Sequence, residues 1–257
     1  MTKYALRLAG VGLSLFCATS AQAQIAQVAY GSLSGTQSVS FGGVPGGAAP
    51  GTNYDNILVV NGVAFGEHFE GQTVTANGNY DQINGNPTNG LTLVAGASGH
   101  NVSVFQAPPG PVLSGLGTLG FPASDAIGEG AFSILFGSDQ SEFGLVLTGS
   151  DGGPAYLGFY RADGSLIQLL SFSGLPLVSS LGFQRDGGVH DIRGVSYWNA
   201  DVTGMGLAAI RFDVPSAVPE PSTWAMMLLG FGLIGWTVRR RGRANSGAFA
   251  YAGDAKG

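Results

Sequence analysis

The sequence is poor in charged residues, in cysteine and in long apolar runs. Asp, Glu, Lys and Arg make up 11% of its 257 residues, less than half the usual share of ~25%. Low charge with an ordinary hydrophobic content of 44% excludes an intrinsically disordered chain. The formal charge of −5 excludes a strongly basic nucleic-acid binder. The sequence has two short apolar runs, one near each end, which excludes a polytopic membrane protein.

Glycine is the residue in excess. The 44 glycines are more than twice the usual share of ~7%. They show no three-residue period, which excludes collagen. Glycine disfavours a helix by about 1 kcal/mol per residue, and no stretch between the two ends keeps a capped 3.6-residue apolar period. We therefore expect a β-rich domain in which glycines occupy many turns.

The first 23 residues have the pattern of a secretory signal peptide. Its parts are two basic residues, an apolar run too short to span a bilayer and an A-x-A cleavage site, namely Lys3, Arg7, residues 8–18, Ala21 and Ala23. Cleavage after Ala23 would make Gln24 the first residue of the mature chain. The single cysteine, Cys17, lies in the apolar run, so the mature chain would contain no disulfide.

The C-terminal end combines three features in order. Pro219-Glu220-Pro221 is an extended peptide, because proline interrupts helices and donates no backbone hydrogen bond. Residues 224–238 carry no charge and would form a helix of about 22 Å, short of the ~30 Å hydrocarbon core. Trp224 and Trp236 lie near its ends, where interfacial indoles are favoured. The basic cluster that follows predicts a cytoplasmic end and consists of Arg239, Arg240, Arg241 and Arg243.

This order of elements resembles the PEP-CTERM sorting signal, which is also catalogued as an ice-binding protein C-terminal motif. The resemblance covers residues 218–243 and includes Gly230-Phe231-Gly232. It implies an exosortase partner, a membrane-embedded cysteine-protease-like enzyme of Gram-negative bacteria. It also implies transient anchoring in the inner membrane, cleavage at or near Pro219-Glu220-Pro221, and delivery to the cell surface or the exopolysaccharide matrix. An ordinary membrane anchor is the alternative, and we predict a disordered tail over 244–257.

Residues 24–218 are long enough for one domain. They hold four arginines, no lysine and 14 acidic residues, a formal charge of −10, so we expect no binding to nucleic acid or anionic lipid. Composition predicts a flexible Gly/Ser/Pro-rich lead-in over 24–53 with at most one strand. We assign residues 54–215 to a β-sandwich ectodomain and residues 216–243 to the sorting signal.

Short apolar or alternating runs predict an all-β, jelly-roll-like sandwich. Asp163-Gly164 indicates a hairpin, because this pair tolerates the positive φ of a tight turn. Alternation in the last run places Phe212 in the core and Asp213 in solvent. The second half is similar to exported lectin-like and carbohydrate-binding jelly rolls. The predicted strands are Ile57–Val60, Thr73–Ala76, Leu91–Val94, Val102–Phe105, Ala131–Phe136, Phe143–Thr148, Ala155–Tyr160, Leu166–Phe172, Leu181–Gln184, Ile192–Tyr197 and Leu207–Val214.

Candidate ligand contacts are few. Tyr197 and Trp198 are the best candidates for a sugar-stacking platform and Tyr80 is a further one, since such pockets combine aromatic faces with a few polar groups. Packing of Trp198 in the core is the alternative. Asp55 and Asp213 are candidates for a structural Ca²⁺, because this ion takes hard oxygen ligands. Turns also favour Asp for backbone reasons, and no EF-hand spacing is present.

Catalytic motifs are missing from the sequence. It has no His-Glu-x-x-His, no Gly-x-Ser-x-Gly and no cysteine outside the signal peptide. His68 and His190 each stand beside a carboxylate, but exposed loop histidines would look the same. Gly115–Gly120 matches Gly-x-Gly-x-x-Gly without the strand and helix of a dinucleotide site. We predict a non-enzymatic surface or matrix protein without a cofactor, structural or adhesive in exopolysaccharide or biofilm; a carbohydrate-binding module and a secreted hydrolase are alternatives.

Overall fold

The computed structural model describes residues 24–88, 90–108, 110–213 and 226–231. The chain divides into two compact units, Met1–Pro215 and Ser216–Gly257. The predicted signal peptide, with Ala21 and Ala23, lies outside the described residues, and so does the tail over 244–257. The same holds for the sorting peptide, for both predicted interfacial tryptophans and for the arginine cluster.

The described part of the first unit consists of strands joined by turns and three short 3₁₀ segments. The strands are β1 (Ile25–Ala29), β2 (Gln37–Ser40), β3 (Thr52–Tyr54), β4 (Leu58–Val60), β5 (Val63–Gly66), β6 (His68–Phe69), β7 (Thr73–Asn77), β8 (Tyr80–Asn84), β9 (Leu93–Val94), β10 (Val102–Ala107), β11 (Gly110–Leu116), β12 (Ile127–Gly130), β13 (Phe132–Gln140), β14 (Glu142–Thr148), β15 (Ala155–Tyr160), β16 (Leu166–Phe172), β17 (Val178–Arg185), β18 (Ile192–Asn199) and β19 (Gly206–Phe212). The 3₁₀ segments are Tyr30–Ser32, Ser124–Ala126 and Asp186–Gly188.

Two large sheets hold most of these strands. A nine-stranded sheet has the order β1-β17-β14-β19-β11-β10-β3, with β12 paired to β11 and β2 paired to β19. A six-stranded sheet has the order β16-β15-β18-β13-β5-β4. Neighbouring strands in both sheets run antiparallel. Two small antiparallel ribbons, β6 with β9 and β7 with β8, complete the unit.

One hydrophobic core joins the two large sheets. Phe143 on β14 of the larger sheet meets Phe136 and Phe159 of the smaller sheet at ring-centroid distances of 5.7 and 6.1 Å. Edge-to-face aromatic pairs of this kind stabilise a core by about 0.5–1.5 kcal/mol beyond their buried area. This packing confirms the predicted all-β, sandwich-like fold and is consistent with a jelly roll.

The predicted strands all overlap strands of the structure, and Ala155–Tyr160 and Leu166–Phe172 have the same bounds. The predicted hairpin between these two strands is confirmed. Gly164 has a φ of +82°, which costs glycine little. Asp163 Oδ1 accepts a hydrogen bond of 2.9 Å from the backbone N–H of Ser165 and holds the turn.

Residues 24–53 differ from the predicted flexible lead-in. They contain β1, β2 and the start of β3, which pair with β17, β19 and β10 respectively. Val39 and Phe41 are fully buried in the main core, two residues apart as strand alternation requires. The abundance of Gly, Ser and Pro concealed this short apolar alternation, and the partner strands lie far away in the sequence.

The prediction that Asp213 faces solvent is wrong. Its carboxylate is largely buried and accepts hydrogen bonds from the backbone N–H and the hydroxyl of Ser141, with Oδ2 2.6 Å from Ser141 Oγ. His190 Nδ1 lies 3.2 Å from the same oxygen. Strand alternation does place Phe212 in the core. Asp213 follows the last ladder pair and therefore turns back onto the β13–β14 connection.

The described part of the second unit is a short helix over 226–231, whose side chains are exposed. Among the residues that the structure describes, no helix has the length and apolar character needed to cross a membrane. The predicted transmembrane helix over 224–238 is therefore not confirmed, and most of that segment lies outside the described residues.

Candidate binding groove and sorting segment

The β7–β8 hairpin forms one wall of a groove on the ectodomain and packs against β12 and β18. Alternation along β8 buries Asp81 and Ile83 and leaves Gln82 exposed between them. Ile83 packs with Ala131 and Trp198 in a small cluster of its own. The hairpin is thus fixed by an apolar contact on the face that also carries the Asp81 carboxyl.

The groove has a volume of about 310 Å³. Tyr156 and Trp198 face each other as cross-strand partners on β15 and β18. Their rings are stacked, with centroids 5.4 Å apart and an interplanar angle of 13°. Such cross-strand aromatic pairs stabilise a sheet by roughly 0.2–1 kcal/mol. The lining residues are Asn77, Tyr80, Asp81, Gln82, Tyr156, Leu169, Trp198, Asn199 and Ala200.

Asp81 is the ionisable carboxyl of the groove, and it is 6% exposed. Its pKa is raised to about 7, first by burial and then by the negative charges of Glu67 and Glu129, against one opposing backbone hydrogen bond. That bond comes from the N–H of Ala131 and is long, at 3.4 Å. Near neutral pH, Asp81 therefore exchanges between a carboxylic acid, which can donate a hydrogen bond, and a carboxylate, which accepts.

The β18 end of the groove is held by a buried carboxylate network. Asn199 donates to the carbonyl of Gly128 over 2.7 Å and accepts from the backbone N–H of Asp201 over 3.1 Å. Asp201 is fully buried. Burial acts to raise the Asp201 pKa, but hydrogen bonds from Thr203, Ser150 and nearby backbone N–H groups outweigh it and lower the pKa. The groove is therefore largely pre-formed on this side.

A second cavity of about 310 Å³ contains Asn79, Asp125 and Glu129. Burial, followed by repulsion from Asp125, raises the pKa of Glu129. A glycoside hydrolase needs two carboxyl groups flanking one bond. Among the described lining residues, the groove holds one carboxyl, that of Asp81, whereas Asp125 and Glu129 both line the second cavity.

The arginines of the ectodomain are engaged away from the groove. Asp191 accepts from both Arg185 and Arg161, with Nε–O distances of 2.5 and 2.9 Å. Arg193 pairs with Asp139, and Arg211 donates to the carbonyl of Gly35. Of the described residues that line the groove, none is a lysine or an arginine. The groove thus offers aromatic, amide and carboxyl groups and no positive charge.

Comparison with protein families identifies the second unit. Residues 217–241 match the family model of the PEP-CTERM protein-sorting motif. The chain carries a PEP-CTERM sorting motif. The match contains the predicted peptide Pro219-Glu220-Pro221, both tail tryptophans and the first three arginines of the cluster, and it ends before Arg243. No curated protein matches the chain.

The PEP-CTERM motif makes this an exosortase-targeted, exported protein that is sorted to the cell surface through a transient membrane stage. The motif is a continuous stretch of 25 residues, so a linear pattern of prolines, apolar residues and arginines was enough to find it. Its residues lie outside the described part of the chain, apart from those over 226–231.

The predicted aromatic contacts lie in different places in the PEP-CTERM ectodomain. Tyr197 is fully buried and stacks on Phe132 with centroids 4.7 Å apart, so it belongs to the core. Trp198 is 7% exposed, and both it and Tyr80 line the groove. Sequence reasoning missed Tyr156 and Asp81. Tyr156 could have been found from the β15–β18 register, but its partner Trp198 is 42 positions away.

The carboxylates of the two predicted calcium ligands, Asp55 and Asp213, accept hydrogen bonds from other residues of the protein. Asp55 accepts hydrogen bonds from Asn53, from the hydroxyl of Ser98 and from the backbone N–H of Gly99, at 2.9, 2.9 and 2.6 Å. These bonds, that from Gly99 first, lower the Asp55 pKa. The carboxylate of Asp213 shares none of these partners and interacts instead with Ser141, Glu142 and His190. Among the described residues, no three or more His, Cys, Asp or Glu side chains are grouped as a metal site.

Proposed function

We propose that this is an exosortase-processed cell-surface or matrix protein whose ectodomain has a structural or adhesive role, without catalysis, in exopolysaccharide or biofilm. The observation that carries the proposal is the PEP-CTERM motif at 217–241, placed after a domain that a signal-peptide pattern precedes. An exported domain with such a tail meets the polymers of the cell surface once it is released.

The two ends act in sequence. The signal peptide directs export and is removed after Ala23, just before Gln24. The Gln24 carbonyl accepts a hydrogen bond from the backbone N–H of Asp186. The apolar segment over 224–238 then holds the chain in the inner membrane, and Arg239–Arg241 keep its end in the cytoplasm. The exosortase cleaves at or near Pro219-Glu220-Pro221 and releases the ectodomain.

The described ectodomain supports a structural role in two ways. Its large aromatic core and the ion pairs of its arginines stabilise the folded ectodomain. Its aromatic groove presents a single carboxyl, that of Asp81, where a glycoside hydrolase needs two flanking one bond. The excess of negative charge keeps the released domain away from anionic lipid.

Intact-mass analysis of the protein from its native host tests the sorting. We expect a mature species that begins at Gln24 and ends near Glu220, and an unprocessed C-terminus when the exosortase gene is deleted. A full-length mature C-terminus retained in the inner membrane of the wild-type host would overturn the proposal. The structural role predicts that deleting the protein reduces polysaccharide retention in the biofilm; unchanged retention would contradict it.

A further inference from the structure

We propose that the groove lined by Tyr80, Tyr156 and Trp198 binds an uncharged sugar unit of a surface polysaccharide. This proposal rests on the proposed function, because export and release bring the ectodomain into contact with such polymers. It adds a defined site and a ligand class to the structural or adhesive role.

The shape and chemistry of the groove fit one small ring. Its volume of about 310 Å³ is at the lower end of the ~300–1,000 Å³ range of ligand pockets. Tyr80, Tyr156 and Trp198 supply apolar ring surface, which suits the C–H face of a sugar. Polar groups from Asn77, Asp81, Gln82 and Asn199 line the same space and suit its hydroxyl groups. In ligand pockets lined mainly by aromatic side chains, a small number of polar groups fixes the orientation of the ligand.

The aromatic walls are held in place before any ligand arrives. The stacked Tyr156–Trp198 pair is fixed by six ladder pairs between β15 and β18, and Trp198 also packs on Ile83 and Ala131. Binding to such a surface costs little side-chain entropy, because the side chains are already ordered. A pre-formed site of this kind can bind a repeating polymer through many weak contacts on many protein copies.

Charge decides which sugars fit. Uronic acids and other anionic sugars need a cation, but the four arginines of the ectodomain are engaged with Asp191, Asp139 and the Gly35 carbonyl. The ectodomain has no lysine and a formal charge of −10, which repels anionic polymers. Near neutral pH, Asp81 is present both as an acid that donates and as a carboxylate that accepts. Either form can pair with a sugar hydroxyl, which has both a donor and acceptor sites. The ligand class is therefore an uncharged sugar unit.

Affinity electrophoresis of the full chain in detergent tests the site. Gels contain dextran, mannan or a β-glucan as neutral probes and alginate as the acidic probe. We expect retardation by at least one neutral polymer and free migration in alginate. Tyr80→Ala and Tyr156→Ala should each weaken the retardation roughly tenfold. Tyr30→Ala removes a half-buried tyrosine outside the groove and should change nothing.

Gln82→Ala keeps the test decisive if a tyrosine variant unfolds, because Gln82 is exposed and contributes nothing to the core. Its loss of a hydroxyl partner should weaken retardation while the melting temperature stays unchanged. Free migration in all neutral gels, stronger retardation in alginate, tighter binding of a glucosamine oligomer than of its neutral counterpart, or an equal effect of Tyr30→Ala would each overturn the site. Correct processing without retardation refutes this inference alone, whereas retardation without processing refutes the sorting.

Discussion

The ectodomain and the tail use arginine in opposite ways. Each region has four, but those of the ectodomain are dispersed between residues 161 and 211, whereas those of the tail lie within 239–243. In the ectodomain, each described guanidinium has a partner brought close by the fold, such as the Arg211–Gly35 pair, separated by 176 positions. For the tail cluster we propose an action that depends on the local density of positive charge along the sequence, as in the positive-inside rule. One region therefore requires tertiary structure and the other a linear pattern.

The largest effect is expected from Glu220→Ala, which alters the peptide presented for sorting. We expect loss of the processed species and an unchanged melting temperature, since Glu220 lies outside the first unit. Intact mass and thermal unfolding monitored by circular dichroism measure the two outcomes. The exposed Glu70→Ala is the matched control and should leave both unchanged. Normal processing of Glu220→Ala would contradict a sorting function that depends on the linear motif and not on the folded ectodomain.

Arg185→Met tests the opposite role, that of an internal clamp. The Arg185 side chain is 1% exposed, and its removal leaves Asp191, 20% exposed, with Arg161 as a remaining partner. The cost should therefore lie at the lower end of the ~3–5 kcal/mol measured for broken buried pairs. For a domain of this size the melting temperature should fall by roughly 10 °C. Arg193→Met is the control, because the Arg193–Asp139 side chains are 30% and 37% exposed and such pairs contribute about 0–1 kcal/mol. Equal effects of the two variants would refute the clamp.

Gly115→Ala probes close packing rather than charge. A Cβ at Gly115 would collide with the backbone of Gly130 on the neighbouring strand β12. Overpacking of this kind costs about 1–3 kcal/mol, which urea unfolding can measure. Gly43→Ala is the matched control, since nothing lies within 4 Å of its added Cβ. If Gly115→Ala is as stable as Gly43→Ala, the tight β11–β12 contact is wrong.

The smallest effect is expected from the pH dependence of Asp81. Its folded-state pKa, about 7, lies above the ordinary value of 3.8. The protonated form therefore stabilises the fold, fully below about pH 4, and this contribution is lost as the pH rises towards 7. After solvent screening we expect a difference of roughly 1–2 kcal/mol.

Comparing the wild type with Asp81→Asn isolates the Asp81 contribution, because asparagine does not titrate. The wild-type free energy of unfolding should fall relative to that of the variant between pH 4 and 7. Asp186→Asn, at an exposed position, is the control for the loss of one carboxylate. Parallel wild-type and Asp81→Asn profiles would show that Asp81 titrates normally.

Patterning predicted part of the ectodomain well. Strands with a clear run of apolar residues, such as Ala155–Tyr160, were located because burial of one face imposes a two-residue period. Strands such as β11 and β12 were missed, since Gly115 and Gly130 weaken the local signal. These glycines are required by the approach of two backbones, which is a property of the pair and not of either strand.

The amino-acid sequence by itself determined that this protein is an exported exosortase target. The sorting motif is a continuous peptide of prolines, apolar residues and arginines, so it can be recognised without any tertiary contact. The sequence also determined the all-β class through alternation and turn residues. The tertiary structure alone decided that Tyr80, Tyr156 and Trp198 share a groove, that Tyr197 is in the core and that Asp213 is buried. Those outcomes depend on strand pairings between distant segments, which no local pattern encodes.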